Sequence, residues 1–135
     1  MSRQIFVNLP VKNLSQSVEF FTRLGFAFNP QLTNGNAACL IVSDNSFVML
    51  LTEAMFQSFT PKTLCDATQS SEVLVALSSE NREAVDDMVR RAVAAGGTLY
   101  NGPQDHGFMY GHGFQDLDGH IWEFFYMEPG TACQA

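Results

Sequence analysis

The residues best suited to chemistry crowd into one stretch, residues 104–123. It reads QDHGFMYGHGFQDLDGHIWE and holds all three histidines, His106, His112 and His120. The stretch ends on Glu123, an acid set within the apolar run IWEFF. A carboxylate on a buried strand without a partner is costly or takes up a proton, so this position marks a ligand, a base or a paired structural group. Imidazoles supply transition-metal ligands and bases near neutral pH. The spacing of His106 and His112 fits no standard ligand motif, which leaves them as loop residues able to contact a bound molecule. Tyr110, between them, offers a ring and a hydroxyl to the same molecule.

A second acid, Glu72, opens the segment EVLVAL. On a strand over residues 72–77 it shares a face with Leu74 and Ala76, as Glu123 shares one with Ile121 and Phe125. Two carboxylates brought close cannot both stay ionised easily, so they share a proton or a cation. Glu123 and Glu72 are therefore the candidate catalytic pair, acting as a proton relay or as a weak oxygen-rich metal site. The candidate ligand-binding residues are Phe6, Asn8, Leu50, Leu74, His106, Tyr110, His112 and Phe125. For the apolar ones, plain core packing is the competing explanation.

The elements that must position these groups follow one pattern written twice. Residues 3–11 alternate as a strand, Asn13 opens a helix with Gln16 as its capping partner, and Gly25 stops it. Short strands follow over residues 26–29, 37–43 and 47–52, with a tight turn at Asp44-Asn45-Ser46. The second half repeats the order. A strand over 72–77 leads to a helix capped by Ser79, with Val85, Met88, Val89 and Ala92 on its apolar stripe and Gly96-Gly97 at its end. A short strand over 98–101 comes next, then a hairpin of residues 107–116 and 120–127 turning at Leu117-Asp118-Gly119. Gly25 matches Gly96 and Asn45 matches Asp118 at an offset of roughly seventy residues, which makes two βαβββ copies the simplest description. Module one spans about 3–54, a connector 55–70 and module two about 71–128, within a single domain. Residues 55–59 are read as a short amphipathic helix.

Composition excludes several classes. A chain of 135 residues with 46% apolar and 16% charged content is an ordinary globular protein. Its net charge of −7 and scattered basic residues argue against nucleic acid or an anionic membrane as partner. No run approaches the length of a membrane span, and the N-terminus lacks the character of a secretory signal, so a cytoplasmic location is expected. Cys39, Cys65 and Cys133 are odd in number and far apart, which suits reduced thiols rather than a disulfide framework or zinc knuckle. Phosphate-cradling loops, dinucleotide fingerprints and a Ser-His-Asp order are absent.

With VKNLSQSVEFFTRLGF early and DLDGHIWEFF late, the double βαβββ pattern resembles the vicinal oxygen chelate superfamily of glyoxalases, bleomycin-resistance proteins and extradiol dioxygenases. The resemblance runs from Arg3 to Met127, and FVNLPVKNL with the 104–123 stretch is similar to its glyoxalase-like predicted lyases. It implies an α+β fold in which two modules form a half-open, barrel-like sheet around a cavity, with helices outside. It also implies metal ligands on the first and last strands of each module, which fall on Phe6, Leu50, Glu72 and Glu123. Only two of these four can ligate a divalent metal such as Zn, Ni, Mn or Fe, so the implied metal site, Glu123 with Glu72, is incomplete and dioxygenase chemistry is disfavoured. The expected function is a glyoxalase-like lyase or isomerase acting on a small molecule. The alternative is a metal-independent binder of the drug-sequestering kind. Homodimerisation is implied by the resemblance alone.

Overall fold

A computed structural model describes residues 3–130, and Cys133 lies outside the described residues. The chain divides into two compact units, residues 1–65 and 66–135. Each carries one four-stranded mixed sheet, and the fold is α+β.

In the first unit β1 (Ile5–Val11) leads to α1 (Leu14–Arg23), β2 (Ala27–Asn29), β3 (Ala37–Ser43), β4 (Ser46–Thr52) and the short α2 (Glu53–Gln57). The strand order is β1-β4-β3-β2, with β1 parallel to β4 and the other pairs antiparallel. Asn13 caps α1 as its sequence requires, its side chain accepting from the Gln16 backbone N–H at 3.1 Å. Ser17, Phe20 and Phe21 bury one helix face, and α1 packs on β3 and β4. The apolar helix over 55–59 starts two residues earlier than its side-chain pattern suggests, because the Thr52 hydroxyl accepts from the Met55 backbone N–H and caps α2.

The second unit repeats the order with β5 (Leu74–Ser78), α3 (Arg82–Ala94), β6 (Gln104–Asp105), β7 (Met109–Gln115) and β8 (Ile121–Met127). Its strand order is β5-β8-β7-β6, again with one parallel pair. Val85, Val89 and Ala92 recur at helical spacing and are buried as α3 packs on β7 and β8. Beneath them Trp122, Phe114 and Phe124 fill the space between helix and sheet, with Phe114 and Phe124 stacked at 5.8 Å. Each such apolar side chain contributes about 1.5–3 kcal/mol on burial.

Three boundaries differ from the sequence expectations. Asn81 caps α3, accepting from the Ala84 N–H at 2.8 Å; Ser79 does not. The strand ahead of it correspondingly begins at Leu74, and Glu72 lies in an exposed bend before it. Residues 98–101 form no strand. Thr98 makes a single bridge to Gln115, and the edge of the sheet is supplied instead by the two residues of β6.

The β7–β8 hairpin owes its shape to Asp116, which is 6% exposed. Its Oδ1 accepts from the backbone N–H groups of Asp118 and His120 at 2.9 and 3.0 Å, and its Oδ2 from Trp122 Nε1 at 3.0 Å. Burial pushes the Asp116 carboxyl up, against the pull of neighbouring His120 and these donors. Gly119 completes the turn with a φ of 90°, and a Cβ there would lie 2.9 Å from the Ala67 carbonyl oxygen. His120 is thus engaged by its backbone in the turn. Among the described residues no helix is long and apolar enough to cross a membrane.

Candidate functional site

Alternation along β8 turns Trp122 and Phe124 toward α3 and leaves Glu123 and Phe125 on the opposite face. Register sets what lies beside Glu123: Ala76 on β5 and Gly113 on β7. These small neighbours leave room, and a cavity of about 310 Å3 opens over that face of the second unit. Glu123, His106 and Phe125 line it with Met109 and Met127, and His112 borders it although it pairs with Phe124 on the other face of the sheet. None of the lining residues is Lys or Arg, and Glu123 is the only acid among them.

Among the cavity residues that escaped sequence reasoning, two bond to predicted ones. Tyr100, in a bend after α3, donates from its hydroxyl to Glu123 Oε2 at 2.9 Å. Asn101 follows it, and its carbonyl lies 3.3 Å from His112 Nε2. Neither could be found from spacing, because both sit in irregular chain that only the tertiary fold returns to β7 and β8. Burial, followed by the bond to Glu123, pushes the Tyr100 phenol well above its ordinary range.

That shift has a defined sign. Because the folded state favours the phenol, its contribution to stability is whole below the free tyrosine pKa of about 10 and is lost as pH rises beyond it. In an ultraviolet pH titration of the folded protein Tyr100 is expected to ionise last among the tyrosines. Tyr100→Phe should remove that late absorbance step. Survival of the step in the variant would show that Tyr100 is not the protected phenol.

Other candidates stand elsewhere. Glu72 does not line the cavity. Were the β5–β8 register continued to it, Glu72 would oppose Gly119 rather than Glu123, about 13 Å away along the strand at 3.3 Å per residue. The proposed pairing of Glu72 with Glu123 is therefore corrected. Its cause is the helix cap: moving it from Ser79 to Asn81 moves the counterpart of Phe6 from Glu72 to Leu74. A two-residue error preserves strand parity, so alternation alone could not expose it. Leu74 is 53% exposed and lies on the Glu123 face beyond Ala76, outside the cavity lining. Tyr110 turns the other way and hydrogen-bonds Asp86 of α3, so its hydroxyl is not a ligand contact in this structure.

Within the first unit Phe6 and Asn8 share a face, where Phe6 stacks on Phe47 at 4.8 Å. Leu50 pairs with Leu9 on the opposite face and is fully buried. The position matching Glu123 is instead Met49, since Asn8 pairs with Met49 as Ala76 pairs with Glu123. Here the one-residue difference turns the side chain to the other side of the sheet.

A metal centre on the first and last strands of both modules would thus draw on Phe6, Met49, Leu74 and Glu123. One carboxylate among three apolar side chains does not make a divalent-metal site, which takes several N, O or S donors. Nor do the described residues hold any group of three or more His, Cys, Asp and Glu side chains placed to share an ion. The residues present do not fit the metal that the resemblance implies.

Comparison with known proteins agrees with the architecture. The model of the glyoxalase/bleomycin resistance protein/dioxygenase superfamily matches residues 3–124. A hypothetical protein from S. aureus is similar in structure at a TM-score of 0.78 and 30% identity, covering 93% of this chain and 95% of that one. A glyoxalase-related enzyme from Fulvimarina pelagi gives a TM-score of 0.78 at 20% identity, covering 93% and 88%. TioX from Micromonospora sp. gives 0.66 at 23% identity, covering 94% and 100%. The last two likenesses speak to fold alone. Curated proteins offer no significant match. On the extent of the match, and on a βαβββ order repeated in both units, this chain belongs to the glyoxalase/bleomycin resistance protein/dioxygenase superfamily.

Proposed function

We propose that this chain is a metal-independent small-molecule binder, and that its second module takes up a cationic, partly apolar ligand with Glu123 as the counter-charge. The observation that carries the reading is a cavity walled by Met109, Phe125 and Met127 in which Glu123 is the sole acid and no lysine or arginine competes for it. A half-buried carboxylate in apolar surroundings attracts a cation more strongly than one in water. Tyr100 occupies Oε2 and fixes the carboxylate plane, while the aromatic and methionine wall adapts to the ligand body. The test compares dansylcadaverine, an aromatic dye bearing a primary ammonium, with neutral dansylamide. Fluorescence enhancement should saturate with the amine and be weak with the amide. Equal binding of both dyes would sink the counter-charge role.

A second reading, the glyoxalase-like lyase or isomerase, draws support from the Tyr100–Glu123 bond. A carboxylate beside a phenol can take a proton from a carbon acid while the phenol steadies the charge that remains. Turnover of the hemithioacetal of methylglyoxal, reduced more than about a hundredfold by Glu123→Gln, is the expected result under this reading. Undiminished turnover in that variant, or none in the parent, would remove it.

A further inference from the structure

The outer wall of the cavity is the irregular segment from Asn101 to Phe108, every residue of which is exposed. It contributes Asn101, Gln104 and His106 to the lining, yet few bonds tie it to the sheet: the two residues of β6, the Glu128 and His106 N–H groups on the Phe108 and Met109 carbonyls, and His112 Nε2 at 3.3 Å from the Asn101 carbonyl. Such a strap should open easily. What further holds it is Arg82 on α3, while Asp86 one turn along bonds Tyr110 of the adjoining β7. Arg82 Nη1 meets Asp105 Oδ2 at 2.9 Å and its Nη2 donates to the Gly107 carbonyl at 3.0 Å. The same guanidinium lies 5.3 Å from the ring centroid of Tyr110 and 3.6 Å from Glu128 Oε1. Asp86, four residues on, accepts from the Tyr110 hydroxyl. Asp105 in turn accepts from the Gly107 N–H at 2.9 Å, closing a small ring inside the strap.

We infer that Arg82 is a positioning residue that latches the 101–108 strap against α3 and thereby controls entry to the Glu123 cavity. The guanidinium suits the task because one rigid planar group reaches a carboxylate, a carbonyl and an aromatic face together. A lysine cannot. The latch is built from exposed charges, so it is weak individually and sensitive to salt. Weakness is what a gate needs: the strap stays closed most of the time but opens without unfolding the module. The gating role rests on the proposed binding function; the latch itself does not.

Amide hydrogen exchange separates the two. In Arg82→Ala the amides of His106 and Gly107, and that of Glu128, which bonds the Phe108 carbonyl, should exchange about fivefold faster, while those of α3 and the centre of β8 hold their parent rates. Arg82→Lys should recover only part of the protection. Salt near 1 M, where the screening length is about 3 Å, should bring the parent toward the variant but leave Arg82→Ala unchanged. Dansylcadaverine release, followed by stopped flow, should quicken in step. Unchanged strap exchange, or an equal rise in α3 and β8, would overturn the latch. Dye release that stays at the parent rate while strap exchange rises would overturn the gating role. If the parent binds no dye, the binding function and the gating role fall together, and exchange alone then decides the latch.

Discussion

Glu123→Gln is expected to weaken dansylcadaverine binding by about ten- to a hundredfold and to leave dansylamide binding where it was. A hydrogen bond or contact to a charged group is worth about 1.5–3 kcal/mol, and each 1.4 kcal/mol is tenfold in affinity. The side chain is part-buried and has one oxygen held by Tyr100, so it is pre-set for a ligand rather than mobile. Gln keeps the shape and still accepts from the phenol through its carbonyl, so the thermal midpoint should shift little. That separates a binding effect from a folding effect. A loss of affinity matched by equal loss for the neutral dye would mean that Glu123 shapes the wall without supplying the counter-charge. The late Tyr100 titration should also move part of the way toward the ordinary range in this variant, because burial, the larger cause, remains while the Glu123 charge is gone.

The second large effect is expected at Gly113. Replacing a strand glycine by alanine ordinarily stabilises, by lowering the entropy of the unfolded chain. At this position the sign should reverse. A Cβ would stand 2.6 Å from both the Trp122 carbonyl oxygen and the Tyr100 hydroxyl, and 3.3 Å from Glu123 Cα. The backbone oxygen cannot withdraw without disturbing the β7–β8 ladder, where Gly113 pairs with Glu123. The hydroxyl can withdraw, but only by giving up the carboxylate. Gly113→Ala is therefore expected to cost about 1–3 kcal/mol, lowering the thermal midpoint by several degrees, and to return the Tyr100 phenol toward a pKa near 10. A variant as stable as the parent, with its late absorbance step intact, would contradict the close packing at this point. The neighbouring Gly111 is a control, since a Cβ there meets its nearest atom at 3.5 Å and requires no displacement.

Both experiments turn on one assembly, Glu123 with Tyr100 above Gly113, and its parts differed in how far they could be read from the chain. Glu123 was visible because an acid within IWEFF breaks an apolar pattern, and alternation then assigns its face with no further knowledge. Gly113 lay in a segment already rich in glycine and carried no mark of its own. Tyr100 had none either. It lies well before Glu123 in an irregular stretch, and which side chain such a stretch presents is set by where the chain is carried between α3 and β6.

The errors have equally specific causes. Ser79 and Asn81 are both good helix caps by residue type, and the choice falls to Asn81 because its side chain reaches the Ala84 N–H. That choice, invisible in composition, moved the first-strand counterpart of Phe6 from an acid to a leucine. Leu50 failed for a different reason. The β3–β4 turn holds residues 44–45 and the β7–β8 turn residues 116–120, so a match carried from Asn45 and Asp118 into the following strands slips. Tyr110 was assigned to the cavity on chemistry; its partner Asp86 comes from the helix side of the sheet, and parity with Phe114 places it there.

The amino-acid sequence by itself determined the repeated βαβββ order, the superfamily, the strand faces and the prominence of Glu123. The superfamily rests on the resemblance of its motifs; the rest follow from local periodicity, caps and turns acting over a few residues. Only the tertiary structure decided which group accompanies Glu123, because cross-strand register and the course of irregular chain depend on contacts between residues far apart in sequence. It replaced a second carboxylate with a phenol, and a presumed metal pair with a single anchored charge beside an apolar wall.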